Sequence, residues 1–160
     1  MKIFIAYGYN ERDKWIKDLV FPLVNAFGSE IETGEETYDG TIPQVVRIKI
    51  ERSDALIGFT TKREPLNPAS TLTHRWVIEE LAAAIALDKK FVEVREIGVD
   101  PQGGLGQNNQ RIEYDEKARD KCLVNLVAAL GVWHKSALAQ VQLQLEGLTD
   151  EERRDLGDDG

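Results

Sequence analysis

Along this chain, short apolar runs of strand length alternate with longer segments of helical period, and that alternation restricts the fold more than any other feature. The run Lys2-Ile3-Phe4-Ile5-Ala6-Tyr7, stopped by Gly8, has the bulk and length of a buried strand. Asn10 then stands as a cap for a helix in which Trp15, Ile16, Leu19, Val20, Leu23, Val24 and Phe27 recur at i, i+3, i+4 spacing. Pro22 predicts a kink in that helix and Gly28 its end. A short strand is expected over 29–33, an acidic loop over 34–40, and a helix from Pro43 to about Arg52 with the proline in its first turn. The run 54–60 reads as a third strand, apolar enough to be covered on both faces. Segment 61–73 holds two prolines and no periodicity, which predicts a loop over the sheet's edge. A helix over 75–89, a strand over 90–94, an irregular loop over 98–110, a strand over 111–114 and a helix from Glu116 to about Trp133 complete the pattern. Thr149 and Glu152 form a capping box for a short last helix.

Strand and helix in alternation predict an α/β fold of three layers, a parallel sheet of about five strands with helices on both faces. Neither a repeat nor a linker divides the chain, so residues 1–135 are expected to form one domain, followed by a helical acidic tail over 136–160. Ligands of such sheets sit in the crevice at the carboxyl ends of the strands. This makes Ala6, Tyr7, Gly8, Tyr9, Thr60 and Trp76 candidate substrate contacts. Tyr7 and Tyr9 bracket the turn after the first strand, where their rings can stack on a flat ligand or simply pack.

Composition narrows the function. Net charge is −8, from 28 acidic and 20 basic side chains, and the basic residues are scattered rather than gathered on one face. A polyanion needs a concentrated basic surface, so nucleic-acid binding is not expected. No run of about 18 apolar residues predicts a membrane span, and the N-terminus turns polar too soon for a signal peptide. A cytoplasmic location is the expectation. The one cysteine, Cys122, lies in an apolar run and reads as a buried, inert thiol. His74 and His134 lack metal-ligand spacing, so no metal is expected.

The helix that opens near Arg75 places one carboxylate where chemistry is possible. Its apolar stripe is Val77, Ile78, Leu81, Ala84 and Ile85, which predicts Glu79 on the opposite face, paired with Arg75. Glu80 falls on the margin of the stripe beside Trp76, half shielded from water. Shielding raises a carboxyl pKa and strengthens its pull on developing positive charge. The plainer role for a marginal glutamate is to solvate the edge of the core. Gly103-Gly104-Leu105-Gly106 lacks the context of a phosphate loop.

The order of these features resembles a TIR (Toll/interleukin-1 receptor) domain, in particular the bacterial TIR-like proteins of antiphage defence of the Thoeris type. The resemblance spans about residues 1–133. Ile3-Phe4-Ile5-Ala6-Tyr7 is similar to the family's Phe-Ile-Ser-Tyr box, and Gly40-x-Ile42 through Ser53-Asp54 to its BB loop and second helix. Ala55-Leu56-Ile57-Gly58-Phe59 matches a core strand, and Trp76-Val77-Ile78-Glu79-Glu80-Leu81 resembles the Trp-Cys-x-x-Glu-Leu box, with Ala6 in place of Ser and Val77 in place of Cys. The resemblance implies a flavodoxin-like fold and NAD as substrate rather than resident cofactor. It also implies cleavage at the nicotinamide–ribose bond, with Glu80 stabilising the ribosyl oxocarbenium and a linear or cyclic nucleotide product read by a downstream effector. Self-association is expected on the same ground. Two other readings stay open, beside plain nucleotide binding without turnover as in related flavodoxin-like folds. One is a non-catalytic TIR module that works by protein contact through the 35–43 loop. The other is a nucleoside deoxyribosyltransferase-like enzyme, whose helix-borne glutamate is matched by Glu80-Leu81-Ala82-Ala83-Ala84.

Overall fold

The computed structural model describes residues 1–34, 41–100 and 111–147. Its elements are β1 (Lys2–Ala6), α1 (Phe21–Ala26), β2 (Glu30–Glu32), α2 (Gln44–Glu51), β3 (Ala55–Thr60), β4 (Pro65–Asn67), β5 (Ser70–Thr71), α3 (Arg75–Ala86), β6 (Lys90–Glu96), β7 (Arg111–Tyr114) and α4 (Arg119–Glu146). Five strands form one sheet in the order β2-β1-β3-β6-β7, with every pairing parallel. The predicted α/β class and flavodoxin-like layering are therefore observed.

Strand alternation divides the core in two. Ile3, Ile5, Ile57, Phe59, Val92 and Val94 face one side, where they meet Trp15, Ile16, Val20, Leu126, Leu130 and Trp133. Phe4 and Leu56 face the other side and meet Val46, Ile50, Val77, Leu81 and Ala84. Successive residues of β1 and β3 thus feed opposite layers, which is why these strands are apolar throughout rather than alternating.

Several elements depart from the sequence pattern for local reasons. The helix expected after Asn10 is broken into a 3-10 turn at Glu11–Asp13, a π-helical stretch at Ile16–Val20 and then α1. Pro22 has no N–H to donate, and the turn before it widens until the Phe21 N–H reaches the Ile16 carbonyl. The predicted loop over 61–73 contains the small antiparallel β4–β5 hairpin, closed by the Asn67 side chain, which accepts from the N–H groups of Ala69 and Ser70. Strand β6 runs two residues beyond its predicted end, to Glu96.

Helix α4 does not stop near Trp133 but continues unbroken across position 135 to Glu146. Between Lys121 and Glu146 it carries a single charged residue, Lys135. By length and composition alone the span Glu116–Gln144 is long and apolar enough to cross a membrane, a test that a helix packed on a sheet also passes. Its inner face, Cys122, Leu126, Leu130 and Trp133, packs on the sheet, while Val124, Val132, Leu138 and Leu143 are exposed. The capping box at Thr149 and Glu152, the acidic loop over 35–40 and the Gly103–Gly106 cluster lie outside the described residues.

Helix α3 is rotated relative to its predicted stripe. Trp76, Val77, Glu80, Leu81, Ala83 and Ala84 are buried, whereas Ile85 is 39% exposed. Leu81→Ala should accordingly cost about 2–5 kcal/mol of unfolding free energy and Ile85→Ala less than about 1 kcal/mol. Urea unfolding of both variants checks this, and equal losses would contradict the observed rotation.

Candidate functional site

Strand order reverses between β1 and β3, and the crevice of such a sheet lies at that switch point. The chain leaving β1, Tyr7-Gly8-Tyr9-Asn10, and the start of α3 meet there. The Trp76 indole N–H donates to the Tyr7 carbonyl at 3.2 Å, which pins the first turn of α3 to the end of β1. The Tyr9 and Trp76 rings lie parallel, 5° apart in plane with centroids 6.5 Å apart. The His74 ring sits 4.4 Å from Trp76, and the Arg63 guanidinium lies 5.7 Å from the centre of the same indole.

Glu80 is one turn beyond Trp76 on the same face of α3, and it is not half shielded but 0% exposed. Among the described residues, its two carboxylate oxygens have no hydrogen-bond partner. Gly34 forms part of the cover, and the Tyr9 hydroxyl lies against the same glycine. A methyl group on Gly34 would sit 2.6 Å from Glu80 Oε1 and 3.4 Å from the Tyr9 hydroxyl, so only glycine permits this approach. Burial alone pushes the Glu80 carboxyl up from 4.5 to about 8. The carboxyl is therefore largely protonated at neutral pH in this covered state.

Beside it is a buried polar network that sequence reasoning missed. Thr61 donates to Asp13 Oδ2 at 2.7 Å, and the Asn10 amide bridges Asp13 Oδ2 at 3.2 Å and His74 Nε2 at 3.1 Å. Asn10 Oδ1 accepts the Asp13 backbone N–H at 3.0 Å, which confirms its predicted capping role. Gly8 lies against this cluster, and a Cβ there would overlap the Asp13 carboxylate and the His74 ring. These contacts join residues 48 and 64 apart in sequence, beyond the reach of any local pattern.

The structure brings only some of the predicted contacts together. Tyr7, Tyr9 and Trp76 surround the crevice, and Tyr7 and Tyr9 line a cavity of about 420 Å³ with Asn10, Glu11, Lys14 and Lys17. Ala6 is not brought there, because it is fully buried in the layer with Phe4 and Leu56. Nor is the Thr60 hydroxyl, which is buried and donates to Glu93 Oε1 at 2.8 Å, next to the Arg95–Glu93 ion pair. Glu79 pairs with Arg75 at 3.9 Å, as its place on the helix predicts. The Cys122 thiol is buried and pushed up to about 12 by desolvation, so it is not a nucleophile at neutral pH. Among the described residues no cluster of His, Cys, Asp and Glu has the form of a metal site.

No protein-family model matches the chain, and no curated protein matches it in sequence. Solved structures do match in fold. The Clostridium botulinum CMP N-glycosidase BcmB superposes with a TM-score of 0.54 over 79% of this chain and 98% of its own, at 16% identity. The Vibrio vulnificus NanR protein, solved with ManNAc-6P, gives 0.51 over 93% of this chain and 56% of its own, at 12% identity. A 2-deoxyribosyltransferase from Bacillus psychrosaccharolyticus gives 0.46 over 81% of this chain and 96% of its own, at 13% identity. At these identities the likeness is one of fold.

The Glu80 carboxyl makes stability depend on pH in a defined direction. Its folded-state value lies above its unfolded one, so the folded chain binds the extra proton. Its contribution is intact below about 4.5 and is lost as pH rises toward about 8. Wild type should lose roughly 2 kcal/mol from this group between pH 5 and pH 7, and Glu80→Gln should lack that loss. Urea midpoints of the two proteins across this range test the difference, and parallel pH profiles would contradict it.

Proposed function

We propose that the chain cleaves the bond between a base and the ribose of a nucleotide, with Glu80 as the carboxylate that faces C1′. The observation that carries this reading is a carboxyl buried without a partner beside the parallel rings of Tyr9 and Trp76. An unpaired buried carboxyl costs folding free energy, and structure of this kind collects at sites where a ligand completes it. The fold supports the same reading, since BcmB, which shares it, is a CMP N-glycosidase.

The chemistry follows from the charge that develops. As the C1′–N bond breaks, its electron pair leaves with the base, which takes up a proton, and positive charge spreads over C1′ and the ring oxygen of the sugar. An ionised Glu80 in a low-dielectric pocket stabilises that charge far better than one in water. Water then adds to C1′ and gives up a proton, so nucleotide and water become free base and ribose phosphate. The aromatic rings of Tyr9 and Trp76 offer flat apolar surface to the base. In the covered state the carboxyl is protonated and closed off, so turnover requires Tyr9 and the chain at Gly34 to move aside.

NAD belongs to the same bond class, and the four-residue spacing of Trp76 and Glu80 on one helix face is the feature that favours it, in keeping with a TIR-type enzyme. Incubation with nucleoside 5′-monophosphates, NAD, and deoxynucleosides plus an acceptor base, followed by chromatography of the released bases, separates the readings. Free base from a monophosphate, reduced at least about 100-fold in Glu80→Gln, is the expected result. Nicotinamide release with the monophosphates intact moves the assignment to NAD. Base exchange without net hydrolysis moves it to deoxyribosyl transfer. No release from any substrate, in wild type and variant alike, contradicts an enzymatic role for Glu80.

A further inference from the structure

The N-terminus of α3 is built against the usual electrostatics of a helix. Its positive pole ordinarily attracts acidic side chains and a side-chain cap. Here the N-cap residue is His74, no side chain caps the first turn, and no acidic residue lies in it. Two cations stand there instead, Arg75 in the first turn and Arg63 over the Trp76 indole. Among the described residues the acidic neighbour of each is at long range, Glu79 at 3.9 Å and Glu64 at 3.8 Å, and each guanidinium is well exposed.

A second observation is independent of the helix pole. Six buried side-chain atoms among the described residues lack a hydrogen-bond partner, and two of them, Thr73 Oγ1 and His74 Nδ1, belong to the residues that open α3. Thr73 is 7% exposed and His74 6%. The nature of the histidine atom follows from its neighbours. Asn10 Oδ1 is occupied by the Asp13 N–H, so the group facing His74 is the Asn10 NH₂, which donates to Nε2. A neutral ring that accepts at Nε2 carries its proton on Nδ1. The orphaned atom is therefore a donor, as is the Thr73 hydroxyl. Asp13, 3.7 Å from Nε2, lies on the far side of the ring from Nδ1 and is held by Thr61 and Asn10.

Unpaired buried donors, a first helical turn without a side-chain cap and two guanidinium groups are together the recognition chemistry of an oxyanion. We propose that the start of α3 is a phosphate subsite, formed by Thr73, His74, Arg63, Arg75 and the backbone N–H groups that follow His74. Glu80 is six residues further on, about 9 Å along the axis, with its side chain leaning back toward the helix start. A ribose with its 5′ phosphate spans that separation. Resting on the reading of Glu80 as the glycosidic carboxylate, the subsite makes the substrate a phosphorylated nucleotide rather than a free nucleoside. The donors are covered as the site stands, so binding displaces the side chains above them.

The test uses the full chain labelled with ¹⁵N, as wild type and as Glu80→Gln, titrated with inorganic phosphate, CMP and cytidine. Saturable shifts at the amides of Arg75, Trp76 and Val77 with phosphate and with CMP, and none there with cytidine, are expected. Thr73→Val and Arg63→Gln should each weaken phosphate binding about tenfold or more, while the remote Arg47→Gln leaves it unchanged. Shifts elsewhere, or equal affinity in wild type, Thr73→Val and Arg63→Gln, overturn the subsite. Phosphate binding at α3 without base release from any nucleotide leaves the subsite standing and removes the glycosidase reading. Equal kcat/KM for CMP and cytidine, with no phosphate bound at α3, does the reverse.

Discussion

A fully buried carboxyl group without a hydrogen-bond partner among the described residues is the constraint around which this end of the sheet is arranged. Glu80 lies on the inward face of α3, and that face must also pack Leu81 against Gly58 of β3 and Trp76 against the end of β1. The rotation that seats Leu81 and Trp76 carries Glu80 under Tyr9 and Gly34. A protonated carboxyl tolerates that place near neutral pH, whereas an ionised one does not. The closed crevice and the raised proton affinity are thus one fact seen twice.

The same packing explains why the neighbouring polar groups form two sets. Asp13, Thr61 and Asn10 satisfy one another and fix the His74 ring from its Nε2 side. Thr73, His74 Nδ1 and the Glu80 oxygens are left over. A fold that leaves donors at the start of a helix and an acid six residues further along has the polarity of a molecule with an anionic end and an electron-poor centre. A nucleotide undergoing loss of its base has both.

Much of the architecture was legible in the sequence because residues 3–7 and 55–59 are continuous apolar runs of strand length, set between segments of helical period. The place of Glu80 on the same side of α3 as Trp76 and Leu81 was also legible. Its environment was not. A helical wheel knows the direction in which a side chain leaves one helix, but not that Gly34 after β2 comes down on it with the Tyr9 hydroxyl alongside. Thr60 was misread for a related reason: strand-end position suggested the crevice, while Glu93 on the adjacent strand β6 draws its hydroxyl into the layer beneath. His74 drew notice only as a histidine without metal spacing, since its partner Asn10 is 64 residues away. The extension of α4 to Glu146 had a visible cause, for residues 132–146 contain good helix formers and neither glycine nor proline.

The most direct test is to watch the Glu80 carboxyl itself, by ¹³C NMR of protein labelled at the glutamate side-chain carboxyl and assigned by comparison with Glu80→Gln. The account predicts that this one resonance titrates near 8 in the free protein and falls toward the ordinary range when a nucleotide is bound and the cover opens. A resonance that titrates near 4.5 in the free protein, unmoved by any nucleotide, would contradict it.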